Sequence, residues 1–92
     1  MKEFQVTAPN LSFLEVRNLI GSRMREARQE SGLSQKDIAE ALFCDQATVS
    51  RMERGLVSPD AAQIRLMSGL FKLSVLWLMG YPSFVVHATT RR

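Results

Sequence analysis

The stretch DQATVSRMERG, residues 45–55, decides how this chain is read. Asp45 is a favoured helix N-cap and Gly55 can take the left-handed turn that ends a helix, so a short helix is expected from Gln46 to about Arg54. Val49 and Met52 share one face of it and should bury. Gln46, Ala47, Ser50, Arg51 and Arg54 project elsewhere and form a polar, compact, positively charged surface.

Working outward, the segment LSQKDIAEAL just upstream carries Leu33, Ser34, Asp37 and Ile38. These make a hydrophobic staple around a box-like Ser-x-x-Asp, which opens a helix ending near Leu42. Two short helices separated by about three residues have helix-turn-helix spacing. Further upstream, Ser12 and Glu15 form a capping box flanked by Leu11 and Val16, so a helix should start near Phe13. Val16, Ile20, Met24 and Ala27 line one face of it until Ser31 and Gly32 supply a stop. Gly21, inside that helix, should weaken it by about 1 kcal/mol relative to alanine.

Downstream, Ser58 and Pro59 are expected to start a fourth helix with Ile64, Met67, Leu70 and Phe71 on one face. Ser74 is expected to cap a fifth, VLWLM, closed by Gly80 and Pro82. The chain has no internal repeat, low-complexity tract or interdomain linker.

Composition narrows the function classes. A 92-residue chain with 46% apolar and 23% charged residues is one ordinary globular domain, small enough that its core should be marginal without a partner. A net charge of +3 and a sequence pI of about 9.6 permit anionic partners without demanding them. A single cysteine, Cys44, excludes an internal disulfide and fits a reducing cytoplasm; a single histidine, His87, leaves no zinc quartet. MKEFQVTAPN lacks the apolar run of a signal peptide, and SVLWLMGY is too short to span a bilayer. No nucleophile with its base, carboxylate pair or glycine-rich phosphate loop assembles, so neither an enzyme nor a cofactor is expected.

A short helix with a polar, basic face fits the DNA major groove. There glutamine can pair with adenine, arginine with guanine, alanine can meet a thymine methyl and serine can meet either base type.

The segments MREARQESGLSQKDIAEAL, DQATVSRMERG and SPDAAQIRLMSGLFKLSVLWLMGYP, and their spacing, resemble the Xre-like helix-turn-helix regulators, the group of the lambda and 434 repressors and the Cro proteins. The resemblance spans roughly residues 17 to 82. It implies that Gln35 steadies a phosphate and the first groove-facing residue. It also implies that Gln46, Ala47, Ser50 and Arg51 read bases, that Thr48, Arg54 and the Ser58 turn contact the DNA backbone, and that Arg28 and Glu53 form a structural ion pair. Two positions depart from the pattern. Phe43 stands at the turn where the family usually has glycine, and a left-handed backbone there would cost on the order of 1 kcal/mol. The expectation is that Phe43 takes a different turn or that its ring gains buried area. Arg54 replaces the usual asparagine.

Other residues have blander readings. Arg17, Arg23, Arg25 and Arg65 read as solvated or ion-paired helix charges among Glu15, Glu26 and Glu30. Cys44 reads as a small buried residue at the turn, and His87 as an exposed tail residue.

One recognition helix covers few base pairs, so a homodimer on a palindromic operator is expected. Trp77, Leu78, Tyr81, Phe84 and Val86 supply apolar area for the interface. SFVVHATT and EFQVTA are rich in β-formers and read either as short strands pairing across a dimer or as frayed ends with Phe84 folded onto the core. The ten residues after Pro82 leave no room for a sensor domain in this chain, so control is expected through abundance, operator competition or a partner protein.

The sequence therefore predicts an all-α, five-helix, lambda-repressor-like domain: an N-terminal extension at 1–12, a helix-turn-helix DNA-binding domain at 13–82 and a tail at 83–92 that serves dimerisation. The expected activity is sequence-specific binding of double-stranded DNA in the cytoplasm, as a dimeric repressor without metal or cofactor. The alternatives are an antitoxin or prophage-switch regulator with a protein partner, and an interaction module that uses the helix-turn-helix as scaffold.

Overall fold

The computed structural model describes residues 11–82 as five helices: α1 (Phe13–Glu30), α2 (Gln35–Leu42), α3 (Gln46–Glu53), α4 (Ala61–Phe71) and α5 (Val75–Leu78). There is no strand among the described residues. The strand-forming segments expected at the two ends, with Phe84, Val86 and His87, lie outside them.

Each helix starts where a side chain satisfies the otherwise unpaired N–H groups of its first turn. Ser12 and Glu15 close a full capping box on α1, as Ser34 and Asp37 do on α2. Asp45 accepts from the Thr48 N–H at 2.8 Å to open α3, and Ser74 accepts from the N–H groups of Leu76 and Trp77 to open α5. The start of α4 differs from expectation. Its N-cap is Asp60, which exchanges two hydrogen bonds with Gln63, whereas Ser58 is exposed and Pro59 is buried ahead of the helix. A reciprocal Asp60–Gln63 box satisfies two groups at once, more than a serine before a proline can offer. Gln63 also donates to the Leu42 carbonyl at 3.3 Å, which ties this start to the end of α2.

All five helices feed one core of Met24, Ile38, Ala39, Leu42, Val49, Met52, Ile64, Met67 and Leu78. The two short helices α2 and α3 pack on each other, α1 runs along α3, and α4 bridges α2 to α5, which returns to α1. Within this arrangement Leu78 is fully buried inside its own chain, so it is withdrawn from the expected dimer interface. Burying a leucine contributes about 1.5–3 kcal/mol, and Val75 and Trp77 pack against the same core beside it. On α4, Ile64 and Met67 turn inward but Leu70 lies outside with Leu66, four residues earlier on the same stripe.

Gly21 acquires a role that its low helix propensity conceals. A Cβ there would lie 2.3 Å from the Met52 carbonyl oxygen and 2.8 Å from that of Glu53. Only a residue without a side chain lets α1 approach the end of α3 this closely.

Candidate nucleic-acid interface

Helix α3 is positioned from its inner face outward. Val49 and Met52 are buried, which fixes its roll against α1 and α2. Gln46, Ala47, Arg51 and Arg54 are then exposed, while Thr48 and Ser50 are half-buried at the edges of the surface. Ala47, Ser50, Arg51 and Arg54 follow the three- and four-residue spacing of one helical stripe. Arg51 donates to the Thr48 hydroxyl at 3.1 Å, so a residue expected to meet bases is bonded to one expected to meet the backbone. The Asp45 carboxyl, held below its ordinary range by hydrogen bonds from Thr48, marks the start of this surface.

The far end of α3 is held by Glu53, the buried carboxylate of the described core. Arg28 grips it with two N–H groups, Nε to Oε2 at 2.6 Å and Nη2 to Oε1 at 3.1 Å. Gln35 Nε2 donates to the same Oε1 at 3.0 Å. A paired carboxylate with three donors can stay buried, and here it joins α1, α2 and α3. Burial also removes the negative charge of Glu53 from the exposed stripe. The partner of Gln35 is thus Glu53 rather than Gln46, and one of its amide hydrogens remains for another acceptor.

Both expectations for Phe43 are overturned. Its backbone is left-handed, with φ 59° and ψ 45°, and its side chain is 86% exposed. The turn is imposed by two hydrogen bonds, from the Phe43 N–H to the Glu40 carbonyl and from the Cys44 N–H to the Ala39 carbonyl, which close the end of α2. Cys44 is half-buried against the core, and burial followed by the Asp45 charge pushes its thiol up, away from reactive thiolate character.

Two arginines read as ordinary helix charges instead reach across the fold. Arg17 Nε donates to the Gly55 carbonyl at 2.7 Å, with its guanidinium 5.4 Å from the Phe13 ring centre. Arg23 donates to the carbonyls of Trp77 and Tyr81 and lies 4.6 Å over the Trp77 ring. This clamps α5 to α1 and half-buries Trp77, while Tyr81 stays exposed. No spacing in the sequence signals either contact, because each joins residues dozens of positions apart.

The arrangement is a short basic helix set on a rigid base beside a second short helix, and the profile of the helix-turn-helix family matches residues 24–78. The chain belongs to that family. This Xre-like helix-turn-helix protein is 36% identical over 61 residues to the HTH-type transcriptional regulator ImmR of Bacillus subtilis (strain 168). The match covers 66% of this chain and 48% of ImmR, so the chain spans about half the length of that curated relative. Among solved structures, it superposes on the restriction-modification controller protein C.AhdI from Aeromonas hydrophila with a TM-score of 0.65 and 25% identity. That match covers 74% of this chain and 99% of C.AhdI. The hypothetical transcription factor NHTF from Neisseria shares the fold at a TM-score of 0.66 and 21% identity, over 90% of this chain and 97% of that one. The family and these relatives are regulators rather than enzymes. No helix among the described residues of this helix-turn-helix protein is long and apolar enough to cross a membrane.

Proposed function

We propose that this helix-turn-helix protein is a sequence-specific transcriptional regulator of the cytoplasm that seats α3 in the major groove of double-stranded DNA. The observation that carries the reading is the division of α3: Val49 and Met52 are consumed by the core, and Gln46, Ala47 and Arg51 stand on a short exposed surface. Glutamine and arginine have the donors and acceptors to distinguish adenine and guanine, and Ser50 at the edge of the stripe can meet either base type. Thr48, Arg54, Ser58 and the remaining amide hydrogen of Gln35 are assigned to phosphates. The similarity to ImmR, a transcriptional regulator by name, supports the same reading.

The protein acts as a homodimeric repressor on a palindromic operator. A single recognition helix of 8 residues contacts too few base pairs for specificity, and two half-sites one helical turn apart are the usual solution. Exposed Tyr81 and Met79 after α5, with Leu66 and Leu70 on α4, provide apolar surface for the contact, and Trp77 supports it from beneath.

Selection from a random duplex pool tests this function directly. A twofold-symmetric sequence should emerge and bind far more tightly than a scrambled duplex. Arg51→Ala and Gln46→Ala should each cost about 1–3 kcal/mol of binding to the selected duplex and much less on the scramble. Equal losses on both, or a pool that yields no consensus, would remove the base-reading assignment.

A further inference from the structure

We infer that Arg17, at the start of α1, is a further phosphate-binding residue that extends the DNA surface beyond the end of α3; the inference rests on the DNA-reading function proposed above. Three observations lead to it. The stripe of Ala47, Ser50, Arg51 and Arg54 ends at Arg54, and the carbonyl of the next residue, Gly55, accepts from Arg17 Nε at 2.7 Å. The guanidinium of Arg17 is thereby fixed one peptide unit past the last residue of the stripe. It is also steadied from the side by the Phe13 ring at 5.4 Å. A guanidinium whose Nε is already bonded loses little freedom on gripping a second partner, and its Nη fork matches a phosphate.

Charge completes the argument. The Nη hydrogens of Arg17 have no acceptor among the described residues. The nearby carboxylates are engaged elsewhere: Glu15 accepts from the Ser12 N–H, and Glu53 is taken by Arg28 and Gln35. Arg17, bonded to the Gly55 carbonyl, and Arg54, the residue before Gly55, therefore both stand at the exit of α3, and neither is paired with a carboxylate among the described residues. A DNA backbone running past the end of a groove-bound helix brings the missing negative charge to this place. Asn18 fixes the geometry, since its side chain occupies the space where a Cβ on Gly55 would stand.

The test separates a bond that holds the fold from a charge that holds DNA. Arg17→Gln removes the charge but keeps an N–H able to reach the Gly55 carbonyl, and Arg17→Lys keeps the charge but loses the fork. Binding would be titrated over a series of salt concentrations on the duplex selected from the random pool and on a scrambled duplex of the same length. For Arg17→Gln, affinity should fall by a similar factor on both duplexes, and the slope of log affinity against log salt should shrink by about 0.9 per bound protomer. Arg17→Lys should retain the wild-type slope even where its melting temperature is lower. An unchanged slope in Arg17→Gln, with wild-type protein binding normally, overturns the phosphate assignment alone and leaves Arg17 as a structural tie. Wild-type protein that binds neither duplex overturns the DNA-reading function together with it.

Discussion

The exits of α2 and α3 close in the same way, yet one carries a phenylalanine and the other a glycine. In each, a left-handed residue ends the turn, Phe43 directly after α2 and Gly55 one residue beyond Arg54 after α3, and two backbone N–H groups fold back onto carbonyls of the last turn: Phe43 and Cys44 for α2, Gly55 and Leu56 for α3. The difference lies in what surrounds the turn. Phe43 points into solvent, so its backbone strain is the whole penalty. A side chain on Gly55 would meet Asn18 Oδ1 at 1.9 Å, because the end of α3 is pressed against α1. A left-handed turn is tolerant where it is open and demands glycine where the fold closes over it.

Substitutions at the two exits put that contrast on a scale of stability. The largest effect is expected from Arg28→Ala, which strands Glu53, whose side chain is 3% exposed, at the tight exit. Leaving a buried carboxylate without its cation costs about 3–5 kcal/mol, and urea denaturation should show a loss near the lower figure because Gln35 still donates. Gly21→Ala comes next. Both obstructing atoms belong to the α3 backbone and cannot swing aside, so a loss on the order of 3 kcal/mol is expected. For Gly55→Ala, strain and the Asn18 contact together should cost about 2 kcal/mol. A chain that tolerated this change as well as Gly32→Ala, where nothing stands within 4 Å, would erase the distinction between closed and open exits.

At the open exit the sign reverses. Phe43→Gly relieves about 1–2 kcal/mol of left-handed strain and adds somewhat less in unfolded-chain entropy, so melting should reveal a net gain of about 0.5–1 kcal/mol. A clear loss of stability would mean that the ring makes a contact worth more than its strain.

The smallest effect concerns acid. Asp37 and Asp45, which cap the helices on either side of this turn, are held below their usual value of 3.8 by hydrogen bonds to Ser34 and Thr48 respectively. A carboxylate depressed in the folded state stabilises it above the unfolded value, and the contribution fades as pH falls through 3.8 and below. Asp45→Asn keeps a good cap without the titration, so its stability should fall less steeply than that of the wild type in this range.

Much of the fold could be read directly because its signals are local. Ser12 with Glu15, Ser34 with Asp37, and Asp45 with the Thr48 N–H lie three residues apart, so the spacing that creates each bond is visible in the sequence. The same holds for the inward face of α3, where Val49 and Met52 stand at helical spacing. Even so, local signals competed at the start of α4. Ser58 with Pro59 and Asp60 with Gln63 both resemble helix starts, and the pair that makes two bonds prevailed.

By itself the sequence determined five helices and the caps of all but α4, the helix-turn-helix spacing and the exposure of Gln46, Ala47 and Arg51, because each depends on residues within one or two turns. Tertiary structure alone decided how those helices meet. It placed Gly21 against the α3 carbonyls, turned Leu78 into the core and left Leu70 outside, and sent Arg17 to Gly55 and Arg23 to Trp77. These outcomes depend on which helices cross and how closely, a balance of buried area and contact distance that no window of sequence contains.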